Sequence, residues 1–218
     1  MLYLLFFLTL FGVSFAFIES SVVIYLRNLY YPEGPIFPLK EIPENILLVE
    51  VLREFSTLVL IFSSSLLAGR SKITKIASFF YVFGIWDIFY YIFLYPFLKW
   101  PKSIFDWDIL FLIPFPWVSP VYAPVLCSLS FIIFSIFLYY FWKEGYPVPV
   151  LFKDILFIFF SFILILFSFF SKTKDVLEGT IPEDFPHLLF FSGLFLFNFY
   201  WIYKLKKIHL KYSNKNIN

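Results

Sequence analysis

An all-α integral membrane protein, built as a bundle of about six transmembrane helices, is the fold class that the sequence predicts. Of its 218 residues, 61% are hydrophobic and only 15% are charged, and the mean hydropathy is +0.85. Several apolar runs reach the roughly 20 residues that a helix needs to cross a bilayer. A soluble domain of this length would carry far more polar surface. We therefore expect one polytopic membrane domain over 1–218.

Six apolar segments are the candidate spans, and Pro, Gly or charged residues separate them. We place these spans at about 2–27, 44–68, 74–98, 119–142, 150–171 and 185–206. The first has no basic start and no clear small-residue cleavage site, and it stays apolar beyond Glu19, so we interpret it as a helix rather than a signal peptide. The absence of a clear internal repeat weakens an inverted-repeat transporter interpretation.

The connection between the third and fourth spans differs from an ordinary loop. It is too apolar for a free loop and too rich in proline for a regular helix. We predict a re-entrant or interfacial segment, since irregular backbone is tolerated where protein or water surrounds it. Trp100, Trp107 and Trp117 are expected at the depth of the lipid headgroups. Asp108 precedes an apolar run and is the candidate to turn inward, with capping of a short helix as the alternative.

Basic residues predict the orientation, because cytoplasmic loops carry an excess of Lys and Arg. With six spans, ten basic residues lie on the side of the two termini and six lie on the other side. We therefore expect a multi-pass protein of the cell membrane, specifically the inner membrane, with both termini cytoplasmic. The basic tail at 207–218 is most simply interpreted as an anchor on anionic lipid.

Five ionisable side chains lie well inside these apolar segments rather than near their ends: Glu19, Glu50, Arg53, Glu54 and Asp87. Charge at such a depth is costly, and in membrane proteins it commonly marks a functional site. With the expected orientation, these acids lie in the outer half of the bilayer. No acid is expected in the inner half, which makes a complete translocation path a weaker prediction than binding.

The spacing of these residues predicts that they share one site. Glu50 and Glu54 are one helical turn apart, and Arg53 can pair with either of them. A stripe of small residues runs beside Glu19 and lets another helix approach closely. The residues that we expect to support the site are Arg27, Tyr81, Tyr91, Asp108 and His187.

Formal charge defines what such a site needs. Four acids against one arginine leave up to three negative charges, which cannot all stay ionised in a low-dielectric interior. Either protons neutralise some of the acids or a cation joins them. We therefore predict an outward-facing carboxylate/arginine site that binds, or also moves, a proton, a cation or a small polar ligand. The alternative is that the acids pair with arginines and hydroxyl groups only to fix helix register.

Two further function classes stay open from the sequence. One is a structural or assembly subunit of a larger membrane complex, with a membrane-protein partner or further copies of this chain. The other is a membrane-embedded, metal-assisted enzyme that uses the acids and His187, although the Glu-x-x-His motifs of di-iron bundles are absent. Catalytic residues and metal ligands are therefore left undefined.

Cofactors and soluble partners find little support in the sequence. No haem, nucleotide or flavin motif occurs, and a cation at the carboxylate cluster is the one such ligand that we expect. The net charge of +2 is too small to indicate nucleic acid, so the lipid bilayer is the expected partner. Because Cys127 is the single cysteine, the chain cannot form an internal disulfide.

Overall fold

The computed structural model describes residues 1–32 and 43–213 as long helices with one small β-hairpin. In chain order the elements are α1 (Leu2–Tyr30), α2 (Glu44–Ala68), α3 (Lys72–Leu98), β1 (Trp107–Ile109), β2 (Val118–Pro120), α4 (Tyr122–Lys143), α5 (Phe152–Phe170), α6 (Thr173–Leu177) and α7 (His187–Ser213). The bounds of the long helices lie within about three residues of the predicted spans, except at the C-terminal end of α7. The structure adds α6, which was not predicted.

Five helices of the described chain are long and apolar enough to cross a membrane: α1, α3, α4, α5 together with the short α6, and α7. The predicted all-α architecture with several apolar helices of membrane-spanning length is confirmed, and it is consistent with a multi-pass membrane protein. The 25-residue helix α2, which carries Glu50, Arg53 and Glu54, is not among the five. A sixth span therefore stays a prediction.

The C-terminal helix continues beyond the predicted end of the last span at 206. Helix α7 extends to Ser213, so the first part of the predicted basic tail is helical. The helix continues because Lys and Leu are good helix formers and no Pro or Gly interrupts this stretch. The remainder of that tail, 214–218, lies outside the described residues, as does most of the loop between α1 and α2.

Local sequence signals explain where α3 begins and ends. Ser71 and Thr74 form a reciprocal capping box, in which the Thr74 N–H donates to the Ser71 hydroxyl and the Ser71 N–H donates to the Thr74 hydroxyl. At the other end Lys99 has a left-handed backbone conformation (φ 52°), which ends the helix one turn after Pro96. Helix α3 is therefore fixed at both ends.

Helix α3 is the centre of the bundle's first half, where it packs against α1, α2 and α4. Two glycines make these contacts close. A Cβ atom added to Gly12 would lie 2.8 Å from Cγ2 of Ile85, and one added to Gly84 would lie 2.7 Å from the carbonyl oxygen of Ser128. Neither position has room for a side chain without displacing its neighbour. Helix α7 packs against α5 and α4 and forms the second half.

The chain has 35 phenylalanines; many are exposed on the outside of the bundle, and others fill the space between these halves. Phe131 of α4 stacks on Phe162 of α5 with 5.8 Å between ring centroids, and Phe197 of α7 meets Phe131 edge to face at 5.7 Å. Such aromatic pairs contribute about 0.5–1.5 kcal/mol each beyond the burial of their area. The core of the bundle is thus largely aromatic.

The segment between α3 and α4 folds back as an antiparallel hairpin. Trp107, Asp108 and Ile109 pair in order with Pro120, Ser119 and Val118. Beyond the strands, the Leu110 N–H donates to the Trp117 carbonyl at 2.8 Å. The predicted irregular segment is therefore an ordered hairpin, while its depth relative to the bilayer stays a prediction.

Candidate functional site

A cavity of about 590 Å³ lies where α1, α2 and α3 meet the hairpin. We call it the carboxylate cavity, because its wall includes five buried acids: Glu19, Glu50, Glu54, Asp87 and Asp108. Two arginines, Arg27 and Arg53, also line it, and most of the remaining wall is apolar or aromatic. The acids of three helices and one strand thus face a common space.

Arg53 organises the acids of α1 and α2. Its Nε and Nη2 donate to Oε2 of Glu50 at 3.0 and 2.8 Å, and its Nη1 forms an ion pair with Glu19 of the neighbouring helix. The Thr57 hydroxyl donates to the second oxygen of Glu19 at 2.8 Å. These charge-assisted bonds hold α1 and α2 in one register.

A second ion pair joins α1 to the hairpin. Nη2 of Arg27 lies 3.4 Å from Oδ1 of Asp108, and the hydroxyl of Tyr91 donates to Oδ2 at 3.0 Å. The guanidinium also stacks over the ring of Trp100, 3.8 Å from its centroid. Burial raises the pKa of Asp108 to about 6, and Arg27 and Tyr91 offset only part of that rise.

Glu54 and Asp87 differ from the other acids of the cavity, because neither has an ion-pair partner among residues 1–32 and 43–213. Glu54 accepts a hydrogen bond of 2.7 Å from the backbone N–H of Leu112, and Asp87 accepts one of 2.8 Å from the hydroxyl of Ser128. Both side chains are buried, at 7% and 9% exposure. Each presents an oxygen that these contacts leave free.

A buried donor also lines the cavity. The indole N–H of Trp86, a residue that is only 7% exposed, has no hydrogen-bond partner in the described chain. A buried polar group left without a partner costs about 1–3 kcal/mol. Trp86 therefore belongs to the cavity wall with an indole N–H that no described group accepts, close to carboxylates that have no ion-pair partner.

The structure brings most of the predicted site residues together. Glu19, Glu50, Arg53, Glu54 and Asp87 all line the cavity, and of the supporting residues Arg27, Tyr91 and Asp108 do so as well. The placement of Asp108 agrees with the expectation that it turns inward.

Two supporting residues lie elsewhere, so their expected place in the cluster is wrong. The hydroxyl of Tyr81 lies 2.9 Å from that of Thr9 in the α1–α3 contact, because that face of α3 turns toward α1. Nδ1 of His187 lies 2.7 Å from the Tyr122 hydroxyl, since α7 begins beside α4 rather than beside α2.

Among the contributors to the cavity that the sequence analysis missed are two aromatic side chains and one backbone group. Tyr90 lies three residues after Asp87 on the same face of α3, so helical spacing could have found it. Trp86 directly precedes Asp87, and adjacent residues of a helix do not share a face, so spacing from Asp87 does not predict its place in the wall. The backbone N–H of Leu112 carries no sequence signal, because its position depends on how the hairpin pairs.

A second charged cluster occupies the opposite end of the bundle. Asp154, in the first turn of α5, is fully buried, forms an ion pair with Lys204 and accepts a hydrogen bond from the hydroxyl of Tyr200. The expectation that buried acids occur at one end only is therefore wrong. It failed because the carboxylate also caps α5 by accepting from the Leu151 N–H at 2.6 Å, a role that places it at a helix end.

No metal centre is evident within the part of the chain that the structure describes, where no three His, Cys, Asp or Glu side chains could together hold an ion. The carboxylates are instead spread around the cavity wall. Comparison with known proteins gives no match to a family model, to a curated protein or to a solved structure.

Proposed function

We propose that this protein binds a small organic cation in the carboxylate cavity, as a multi-pass protein of the cell membrane. The observation that carries the proposal is the pair of buried acids, Glu54 and Asp87, that have no ion-pair partner among the described residues. A bound cation would supply the charge that these side chains need in a low-dielectric interior.

The charge balance of the cavity supports a positively charged ligand. Five acids face two arginines, so the wall carries up to three excess negative charges when every group is ionised. Arg53 is committed to Glu19 and Glu50, and Arg27 is committed to Asp108. Neither arginine ion-pairs with Glu54 or Asp87, so a ligand or protons must neutralise those two acids.

The size and wall of the cavity favour an organic cation over a metal ion. A volume of about 590 Å³ falls in the range of small-molecule sites and far exceeds the space that a bare ion occupies. Metal ions such as Ca²⁺ require six to eight converging oxygen ligands, which these dispersed acids do not supply. The rings of Trp86, Tyr90 and Phe111 in the wall suit cation–π contact with an ammonium group.

The rival account is that the acids only lock helix register, with protons on Glu54 and Asp87. The two accounts differ in their response to added cations. Glu54→Gln and Asp87→Asn preserve shape and hydrogen-bond acceptors while removing charge. A register lock predicts no cation-dependent stabilisation in any form of the protein.

Thermal unfolding in detergent tests the proposal. At constant ionic strength, replacing NaCl by choline chloride should raise the melting temperature of the wild type, because a ligand that binds the folded state stabilises it. The rise should disappear in Glu54→Gln and Asp87→Asn. Glu44→Gln, which removes an exposed carboxylate from α2, is the matched control and should respond like the wild type. An equal response of all four proteins would overturn the proposal.

We further propose that α2 is a sixth span, that both termini are cytoplasmic and that the cavity faces outward beneath a re-entrant or interfacial hairpin. The distribution of basic residues supports this orientation. A cysteine introduced at Ser103, before the hairpin, should react with an impermeant reagent from outside the cell, whereas one at Glu144 should not. Both positions are exposed, and the native Cys127 is buried. The reverse labelling pattern would overturn the orientation.

A further inference from the structure

A second cavity lies on the outer surface of the bundle between α4 and α7. This α4–α7 groove has a volume of about 420 Å³ and is lined mainly by apolar and aromatic side chains. Several of these are exposed on the outside of the protein: Ile133, Phe137, Tyr140 and Ile202. In a membrane protein such a surface faces acyl chains.

The groove is basic toward the C-terminal end of α7. Lys206 and His209 belong to its lining, and both are exposed. At 1.5 Å per residue they lie about 7.5 Å and about 12 Å beyond Trp201 along the helix axis. The groove therefore combines an apolar body with a cationic end.

A buried polar group lies between these two parts. Trp201 lines the groove and is only 5% exposed, yet its indole N–H has no hydrogen-bond partner among the described residues. Asn198, in the same wall, donates through its side-chain nitrogen to the hydroxyl of Ser130 at 3.0 Å and to the Leu194 carbonyl at 2.9 Å. A molecule in the groove that carries a carbonyl would supply the acceptor that this N–H lacks.

We propose that the α4–α7 groove binds one anionic phospholipid. An acyl chain lies along the aromatic wall, an ester carbonyl accepts the hydrogen bond of the Trp201 N–H, and the phosphate lies beside Lys206. This order of groups matches the lipid, whose ester carbonyls lie deeper in the membrane than its phosphate. Cationic side chains at the membrane surface attract anionic lipid, which gives the groove its selectivity.

The site is independent of the carboxylate cavity. The groove is formed by α4 and α7, whereas the cavity is formed mainly by α1, α2, α3 and the hairpin. A failure of either proposal therefore leaves the other unaffected.

Native mass spectrometry of the purified protein tests the proposal, with dioleoyl phosphatidylglycerol as the probe and dioleoyl phosphatidylcholine as the zwitterionic comparison. The wild type should retain one phosphatidylglycerol in preference to phosphatidylcholine. Lys206→Gln should lower that occupancy about fivefold, the effect expected for one lysine near a membrane surface. Lys207→Gln, an exposed neighbour outside the groove, should leave it unchanged.

Trp201→Phe should also lower retention, because phenylalanine keeps the ring and removes the donor. If that variant does not fold, quenching of wild-type tryptophan fluorescence by brominated phosphatidylglycerol provides the second measurement, and Lys206→Gln should reduce the quenching. Equal retention of the two lipids, or equal losses in Lys206→Gln and Lys207→Gln, would overturn the proposal. Choline-dependent stabilisation should be unchanged in Lys206→Gln.

Discussion

The backbone N–H of Leu112 donates a 2.7 Å hydrogen bond to Oε2 of Glu54, and this contact fastens the hairpin to α2. The same carboxylate has no ion-pair partner in the described chain. Glu54 therefore has two separable roles, one that needs an oxygen acceptor and one that needs a negative charge. Two substitutions at this position distinguish them.

Glu54→Gln should keep the hairpin contact and lose the charge. We expect little change in thermal stability without ligand and a loss of choline affinity of about tenfold or more, since bonds to charged groups contribute about 1.5–3 kcal/mol. Glu54→Ala should lose both roles, with a further destabilisation of about 1–3 kcal/mol from the unpaired Leu112 N–H. Unfolding curves and choline titrations of both variants check this. Equal stability of the Gln and Ala variants would contradict the hairpin role.

Because Arg53 pairs with Glu19, we expect substitutions of these two residues to have non-additive effects on the free energy of unfolding. Arg53→Gln leaves two acids facing each other without a cation and should destabilise the protein by up to about 3–5 kcal/mol, less to the extent that solvent reaches the partly exposed guanidinium. The double variant Arg53→Gln with Glu19→Gln should be more stable than Arg53→Gln alone. Denaturation in detergent micelles measures the free energy of unfolding of the single and the double variant. Additive effects would show that the two residues do not interact.

Asp108 predicts a pH dependence of stability with a defined sign. Its pKa in the folded protein is about 6, above the ordinary value of 3.8, so the folded state holds this proton more tightly than the unfolded chain does. The stabilisation of the folded state by this proton is therefore fully present below about pH 4 and is lost as the pH rises through 6.

The comparison of wild type with Asp108→Asn isolates this group. The difference in free energy of unfolding, wild type minus variant, should fall as pH rises from 4 to 6, by at most about 1.4 kcal/mol per pH unit for one proton. Above pH 7 the difference should be constant. A difference that grows with rising pH would show that the Arg27 ion pair outweighs burial.

Trp86 predicts a preference among cations. We expect its unpartnered N–H to donate to the hydroxyl of choline, whereas tetramethylammonium carries no acceptor. Trp86→Phe should therefore weaken choline binding about threefold to tenfold, the range of a neutral hydrogen bond, and change tetramethylammonium binding much less. Competition titrations with both cations measure the ratio. A parallel loss for the two ligands would assign Trp86 an aromatic role only.

Hydropathy was sufficient to predict the long helices, because lipid imposes a minimum length of apolar chain on any helix that crosses it. Charge placement and helical spacing also placed Glu50, Arg53 and Glu54 in one cluster, since residues three and four apart share a face. The sequence was therefore enough to predict contacts within one helix and the burial of its charged face.

Contacts between distant segments were not accessible in the same way. The Arg27–Asp108 pair joins α1 to a hairpin whose strand pairing depends on three-dimensional folding, and the link between Asp154 and Lys204 joins α5 to α7. His187 was misplaced for the same reason. Hydropathy does not predict the order in which the helices are arranged around the bundle. An acid paired in this way looks identical in sequence to one that is left without an ion pair.

Equilibrium binding of radiolabelled choline to the purified protein tests cation binding most directly. The wild type should bind it saturably at one site, and tetramethylammonium should compete. The neutral isostere 3,3-dimethyl-1-butanol should not compete, because it has the shape of choline without the charge. Glu54→Gln with Asp87→Asn should abolish binding, while Glu44→Gln should retain it. Equal competition by the neutral isostere, or undiminished binding by the double variant, would contradict the account.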